Sequence, residues 1–371
     1  MFKYDVLIER EDICNYETEI ATLNRHVINS GKVVLIAPRR YGKTSIAVNV
    51  IGKGFLSKKK KGIFCYANLQ EVADLDSIAV RLTHALEYAV NQAFPVKSRL
   101  LKAIDALKLL KPQVNIDPAS GEPALSLSLG KSPHKELADI FETMSSLSER
   151  YSLLLCLDEL QDVAAIPEAE AFLRGFLQTM VKSPVLVSGS KKHLLANIFL
   201  DERKPLYNWG KTVELKPIPV DKWKGYIIAR FRTKKLSITD EALKALLDGV
   251  FFIPNYVCKI CSELHDIHSN HEISKEDVSC AIHKIYLDTQ SLYAEKISFL
   301  TRNQLKFLVL LAKETYIKEI TAKDVVGKCN LSTRGISQIA GMLLDKGYVE
   351  REEKGMRVAD PFFAHYLSRE F

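Results

Sequence analysis

The sequence predicts an α/β protein, a parallel sheet flanked by helices, followed by an all-α region and a smaller C-terminal domain of a third pattern. Three observations predict it. Short apolar runs alternate with amphipathic stretches over roughly the first 215 residues. Beyond Pro219 the pattern becomes helical throughout, and from about Ser298 three helix candidates lead into a short charged hairpin, GYVEREEKGMRVAD. The expected domains are therefore 1–217, with an insertion at about 95–133, then 218–293 and 294–371.

The elements follow in order. KVVLIA (32–37) is a continuous apolar run, as expected of a strand buried on both faces, and GKTSIAVNVIG reads as a helix after it. The lysine run at 58–61 reads as a solvated turn. GIFCYANL (62–69) is a second strand, and residues 74–94 have apolar positions three and four apart, hence an amphipathic helix. The insertion combines a helix-like SRLLKAIDALKLL with PQVNIDPASGEPALSLSLGKSP, whose alternation and turn residues predict a hairpin. After the helical HKELADIFETMSSLSERY, the strand YSLLLCLDELQDV (151–163) ends abruptly in two carboxylates. EAEAFLRGFLQTMV is a helix, and PVLVSGSKK and KTVELKPIP are two more strands. VDKWKGYIIARFRT, TDEALKALLDG, NYVCKICSELHDIH and SKEDVSCAIHKIYLDTQ are the later helices.

A chain of 371 residues with 47% hydrophobic content can bury ordinary cores. No apolar run approaches the ~20 residues of a membrane span. The N-terminal MFKYDVLIEREDIC is too charged for a secretory signal, so a cytoplasmic location with no membrane partner is expected. Seven scattered cysteines, an odd number, point to reduced thiols. The net charge of +7 suits an acidic partner, but the basic residues are spread along the chain.

Chemistry is concentrated in IAPRRYGKTS (36–45), which has most of the phosphate-binding pattern G-x-x-x-x-G-K-[ST] but alanine, Ala37, at the opening position. In such a loop Gly42 lets the backbone approach phosphates at a positive helix end, Lys43 contacts their oxygens and the Thr44 hydroxyl ligates Mg²⁺. A GKT tripeptide alone is weak. Its support is a second strand about 115 residues later, ending in Asp158 and Glu159, where an aspartate can hold the Mg²⁺ shell and a glutamate can polarise water. Alanine preserves the small size at the turn and is strained only if its φ is positive.

With APRRYGKTS, LCLDELQDV, VSGSKKHL and VADPFF in that order, the chain resembles the archaeal-type ATPases, P-loop proteins related to the STAND and AAA+ groups. The resemblance implies a P-loop NTPase domain, an all-α lid and a winged-helix domain, with ATP and Mg²⁺ as ligands and a slow ATPase acting as a conformational switch. It implies nucleotide contacts at Pro38, Arg39, Arg40, Tyr41, Gly42, Lys43, Thr44 and Ser45, and Mg²⁺ at Thr44 and Asp158. Glu159 would activate water, and a sensor hydroxyl would be Ser190 first and Ser188 second. Pro254 in FIPNYV matches a proline-aromatic element near the nucleotide base. The sequence departs from relatives at Ala37, at Asn15, Tyr16 and Glu17 in place of a Gly-Arg-Glu-like box, and at Asn208, near which relatives carry an arginine. Loss of a finger arginine would lower turnover by orders of magnitude. Arg203 is the candidate substitute.

Two further signals invite a function. STRGISQIAGMLLDKGYVEREEKGMRV reads as a recognition helix and wing, with Ser332 as N-cap and Arg334, Ser337 and Gln338 on the exposed face. The few basic residues and the acidic residues in the wing favour a lid role over DNA contact. Cys258, Cys261, His265 and His268 mimic a zinc motif, but on one helix the first and last would be about 15 Å apart, too far to share an ion. The competing functions left open are a DNA-binding ATPase that oligomerises and a nucleotide-binding scaffold without hydrolysis, holding a protein partner.

Overall fold

The computed structural model describes residues 1–59, 61–94, 107, 110, 111, 113–116, 123–127, 132–166, 168–190, 195, 198, 199, 201–352 and 354–371. Contacts divide the chain into two compact units, Lys3–Lys222 and a second made of Met1–Phe2 with Trp223–Phe371.

The first unit is built on a five-stranded parallel sheet. Helix α1 (Glu17–Ile28) leads to β1 (Lys32–Ile36), four of whose five residues are buried. Helix α2 follows as an α-helical turn Lys43–Ser45, a π-helical stretch Ile46–Gly52 and an α-helical end Lys53–Lys58. The π segment lies over β2 (Gly62–Asn68), where a Cβ on Gly52 would come within 2.5 Å of the Phe64 ring, so only glycine permits the approach. Lys58 and Lys59 close α2 at the surface, in keeping with the expected solvated turn.

Helix α3 (Leu75–Ala93) starts at a capping box in which Asp74 and Ser77 satisfy each other's backbone N–H groups. Strands β3 (Gln113–Ile116) and β4 (Pro123–Ser126) form the antiparallel pair expected of the insertion, and the rest of that segment lies largely outside the described residues. Helix α4 (Pro133–Arg150), β5 (Ser152–Asp158), α5 (Ala169–Thr179), β6 (Val185–Gly189) and β7 (Lys211–Glu214) complete the unit. The sheet order is β2-β5-β6-β1-β7 with every pairing parallel. β5, β6 and β1 are central and read as unbroken apolar runs, because both faces are covered. The side chains of Leu155, Leu157, Val185 and Val187 meet α3 and α4 residues such as Leu82, Leu86, Ile140 and Phe141 in one core.

The second unit is mainly helical. It comprises α6 (Val220–Phe231, entering the unit at Trp223), β8 (Ser237–Ile238), α7 (Asp240–Gly249), α8 (Pro254–Ile267), β9 (Glu272–Ile273) and the long α9 (Lys275–Ser298). Then come α10 (Arg302–Glu314), α11 (Lys323–Cys329), α12 (Thr333–Asp345), the hairpin β10 (Val349–Glu352) with β11 (Gly355–Val358), and α13 (Pro361–Glu370). This is a helix, a turn, a second helix and a wing. Within the hairpin Arg357 is fully buried, with Nη2 2.9 Å from Glu350 and 2.6 Å from Glu352, and its guanidinium lies 4.7 Å from the Phe251 ring centroid. Helix α9 packs on α13, with the Tyr293 hydroxyl bonded to Asp360, the cap of α13, at 3.3 Å.

Candidate nucleotide site

Parallel strands aim their carboxyl ends at one edge of the sheet, and there the candidate residues converge. β1 leads into the loop that carries Lys43 and Thr44, β5 ends on Asp158, and β6, which lies between them, ends in Ser188 and Gly189 with Ser190 next.

Lys43 is buried, and its Nζ sits 2.9 Å from Asp158 Oδ1 and 2.5 Å from Glu159 Oε1. The Thr44 hydroxyl donates to Asp158 Oδ2 at 2.8 Å. Residues 114 to 116 positions apart in sequence thus meet as a compact polar cluster with one ammonium and two carboxylates. Asp158 also accepts from the Ser188 hydroxyl at 2.5 Å and from the Tyr66 hydroxyl at 3.1 Å. Burial alone would raise the Asp158 carboxyl, but the Lys43 charge and the hydrogen bonds from Lys43, Ser188 and Thr44 hold it below the ordinary carboxylate range. Tyr66 moves the other way: burial first, then the Asp158 charge, keeps its hydroxyl protonated.

Glu159 occupies the left-handed region at φ 55°, which turns its side chain back toward the loop. Its Oε2 accepts from Ser190 at 2.9 Å and from Gln161 Nε2 at 2.5 Å. Gln161 is itself buried, and its Oε1 has no hydrogen-bond partner among the described residues. Gly189 makes this packing possible, because a Cβ there would fall 2.2 Å from Gln161 Oε1.

The loop answers the question posed by Ala37. That residue is fully buried, its N–H bonds Gly189 O at 3.3 Å, and it is not among the positive-φ residues, so alanine is unstrained. The left-handed positions are Arg40 at 67° and Gly42 at 81°. A Cβ on Gly42 would meet no heavy atom within 4 Å, so its positive φ and not crowding is what calls for glycine there. Arg39 and Arg40 are exposed, Pro38 is half-buried and Tyr41 is buried. The Ser45 hydroxyl accepts from Ile8 N at 3.1 Å and so ties the N-terminal segment to α2.

Among the described residues, the other expected ones make no hydrogen bond or ion pair with this cluster. Pro254 is the first residue of α8 in the second unit. Arg203 is exposed and held bidentately by Asp201, at 3.0 and 2.8 Å, while Asn208 sits at a left-handed turn with φ 51°. Asn15 and Tyr16 are also left-handed, and the buried Tyr16 hydroxyl bonds Lys216 O at 2.9 Å. Arg334, Ser337 and Gln338 are all exposed on α12. Tyr66 and Gln161 were not singled out in the sequence. Gln161 had a local signal, two residues beyond Glu159, but Tyr66 reaches Asp158 only through the pairing of β2 with β5.

The residues present fit a nucleoside triphosphate with Mg²⁺: a left-handed glycine turn at a helix start, an adjacent lysine, and a hydroxyl and carboxylate that already face each other.

Comparison with known proteins agrees on the architecture. Residues 291–369 match a family model described as "Probable winged helix domain". No curated protein matches the chain. Among solved structures, the Walker-type ATPase PABY2304 of Pyrococcus abyssi is similar over 97% of both chains, with 17% identity and a TM-score of 0.63. The Aeropyrum pernix ORC2 protein, solved as ADPNP-ADP complexes, covers 97% of this chain and 96% of its own, at 14% identity and a TM-score of 0.55. The A. pernix ORC1 protein in complex with DNA covers 95% and 92%, at 14% identity and a TM-score of 0.52. The fold is thus that of the archaeal Walker-type ATPases, a P-loop sheet flanked by helices and followed by a helical region ending in a winged helix.

Proposed function

We propose that this protein binds ATP with Mg²⁺, hydrolyses it slowly, and acts as a switch whose nucleotide state sets the position of its lid and winged helix. The convergence of Lys43, Thr44, Asp158 and Glu159 at one strand edge carries the reading. Nucleotide binding requires Lys43 to exchange its two carboxylate partners for phosphate oxygens. Thr44 and Asp158 would hold Mg²⁺, which supplies charge neutralisation to the transferring phosphoryl group. Glu159 then has Oε1 released from Lys43 and Oε2 still positioned by Ser190 and Gln161, the state in which it can accept a proton from water. Ser190 is accordingly the sensor, and Ser188 positions Asp158. Rate is limited by the lack of the arginine that relatives carry near Asn208 and by the engagement of Arg203 with Asp201.

The switch reading is tested by equilibrium binding and solution scattering on the full chain. ATP and ADP should differ in affinity and in scattering profile with Mg²⁺ present. Equal affinities with superimposable profiles would remove the switch, since a ligand shifts an equilibrium only through differential affinity.

A second reading is favoured by the exposed Arg334, Ser337 and Gln338 on α12 and by the DNA-bound state of one similar structure. In it the winged helix anchors the ATPase on duplex DNA. Stimulation of turnover by DNA, lost in Arg334→Ala, would choose it over the lid role.

A further inference from the structure

The helical part of the second unit holds a cluster of two histidines and an aspartate. Helix α8 ends at Ile267, one residue before the fourth member of the sequence's cysteine-histidine stripe. His268 is therefore off the helix, contrary to the expectation that all four share it, and its N–H bonds Leu264 O at 3.1 Å as a C-cap. His271 lies just before β9, where its carbonyl accepts Ser237 N at 3.1 Å. Asp277 is in the first turn of α9, where its carboxylate accepts Ser274 N at 2.8 Å in a capping box. Three different backbone hydrogen bonds thus fix the three positions.

Their side chains converge. His271 Nε2 is 2.9 Å from Asp277 Oδ2, and His268 Nε2 is 3.6 Å from Asp277 Oδ1. The two imidazoles stack with centroids 4.7 Å apart and 13° between planes. One ligand atom from each residue lies within 4.8 Å of the other two. Side-chain exposures of 23%, 43% and 21% for His268, His271 and Asp277 leave the cluster accessible from solvent.

We propose that His268, His271 and Asp277 bind a divalent transition-metal ion of the zinc class. Two imidazole nitrogens and one carboxylate oxygen suit Zn²⁺, Co²⁺ or Ni²⁺ and not Mg²⁺ or Ca²⁺, which prefer all-oxygen shells. In a tetrahedral zinc site with bonds of about 2.0–2.2 Å, ligand atoms are roughly 3.4 Å apart. Each imidazole already lies near that distance from one oxygen of the Asp277 carboxylate, His271 from Oδ2 and His268 from Oδ1, and side-chain rotation is what would bring the three ligand atoms around one ion. Metal binding takes the place of the hydrogen bond between His271 and Asp277 and leaves a fourth position for water. The ion joins the end of α8 to the start of α9 and so fixes the turn between them. Cys258 and Cys261, buried on α8, take no part, so only His268 of the apparent zinc stripe is a ligand.

The test is calorimetric titration of tag-free, full-length protein with Zn²⁺, followed by the visible spectrum of the Co²⁺ form. One ion should bind per chain, Mg²⁺ should not compete, and the thermal midpoint should rise with zinc. His271→Ala and Asp277→Asn, the latter retaining a cap acceptor, should each weaken zinc binding by more than about 100-fold, since even outer-shell partners are worth about 10–100-fold. His84→Ala, an exposed histidine on α3, should leave it unchanged. No uptake of zinc overturns the proposal, as does uptake that survives both substitutions. If either variant fails to fold, the wild-type Co²⁺ spectrum decides: a tetrahedral nitrogen-oxygen band supports the site. A thiolate charge-transfer band would move the ion to a cysteine and overturn it.

Discussion

Lys43 engages two carboxylates, and under the proposed function it would release them to meet a phosphate. The pairing stabilises the nucleotide-free fold. Because the Asp158 carboxyl is held below its ordinary value of 3.8, its stabilisation is fully present above that value and is lost as pH falls through the depressed one. Asp158→Asn should therefore remove the part of acid destabilisation that begins below about pH 4. Urea melts of both proteins between neutral pH and pH 3 would check this, and parallel curves would contradict it. The two small loop residues should differ in their effect on binding. Ala37→Gly should cost about 0.5–1 kcal/mol through unfolded-state entropy and leave nucleotide affinity unchanged, because Ala37 needs no special φ. Gly42→Ala, at φ 81°, should cost about 1–2 kcal/mol and weaken ATP binding. Denaturant melts and ATP titrations of both variants measure these. The lysine, threonine and acidic pair were legible from sequence because each belongs to a local motif beside an apolar strand. Tyr66 was not, because its contact depends on the register that places Asn68 opposite Asp158, and strand register is not written in either strand alone.

At the scale of elements, central strands β1, β5 and β6 were readable because burial on both faces leaves continuous apolar runs. The π-helical stretch of α2 was not, since it depends on a glycine meeting the Phe64 ring from a different strand. The terminal helix α13 is not legible either, although Asp360 caps it and Pro361 is its first residue, because burial of most of its length blurs the apolar-polar alternation of a surface helix. Two elements give tests. Gly189→Ala at the end of β6 should push Gln161 off Glu159, and phosphate release should fall while ATP affinity holds. Equal losses in both would show that β6 serves the loop itself. In the wing, Arg357→Met should destabilise the second unit by about 2 kcal/mol, less than the ~3–5 kcal/mol for breaking a fully buried pair because both glutamates are partly exposed. A thermal melt of the full chain checks it, and an unchanged midpoint would mean that the wing's ion cluster adds no stability.

For the whole molecule, the sequence's shift from alternating strands and helices to helices alone past Pro219 falls close to the division between units at Lys222 and Trp223. The central claim is that the cluster at the sheet edge is a working ATPase site, and its most direct test is Mg²⁺-dependent phosphate release by the full chain. Lys43→Ala and Glu159→Gln should be measured beside it across protein concentrations, with and without duplex DNA. The account predicts slow turnover that needs Mg²⁺ and is abolished by both substitutions, with ATP binding lost in Lys43→Ala and kept in Glu159→Gln. Turnover that persists in both variants, or a wild-type chain that neither binds nor cleaves ATP at any concentration, would contradict it.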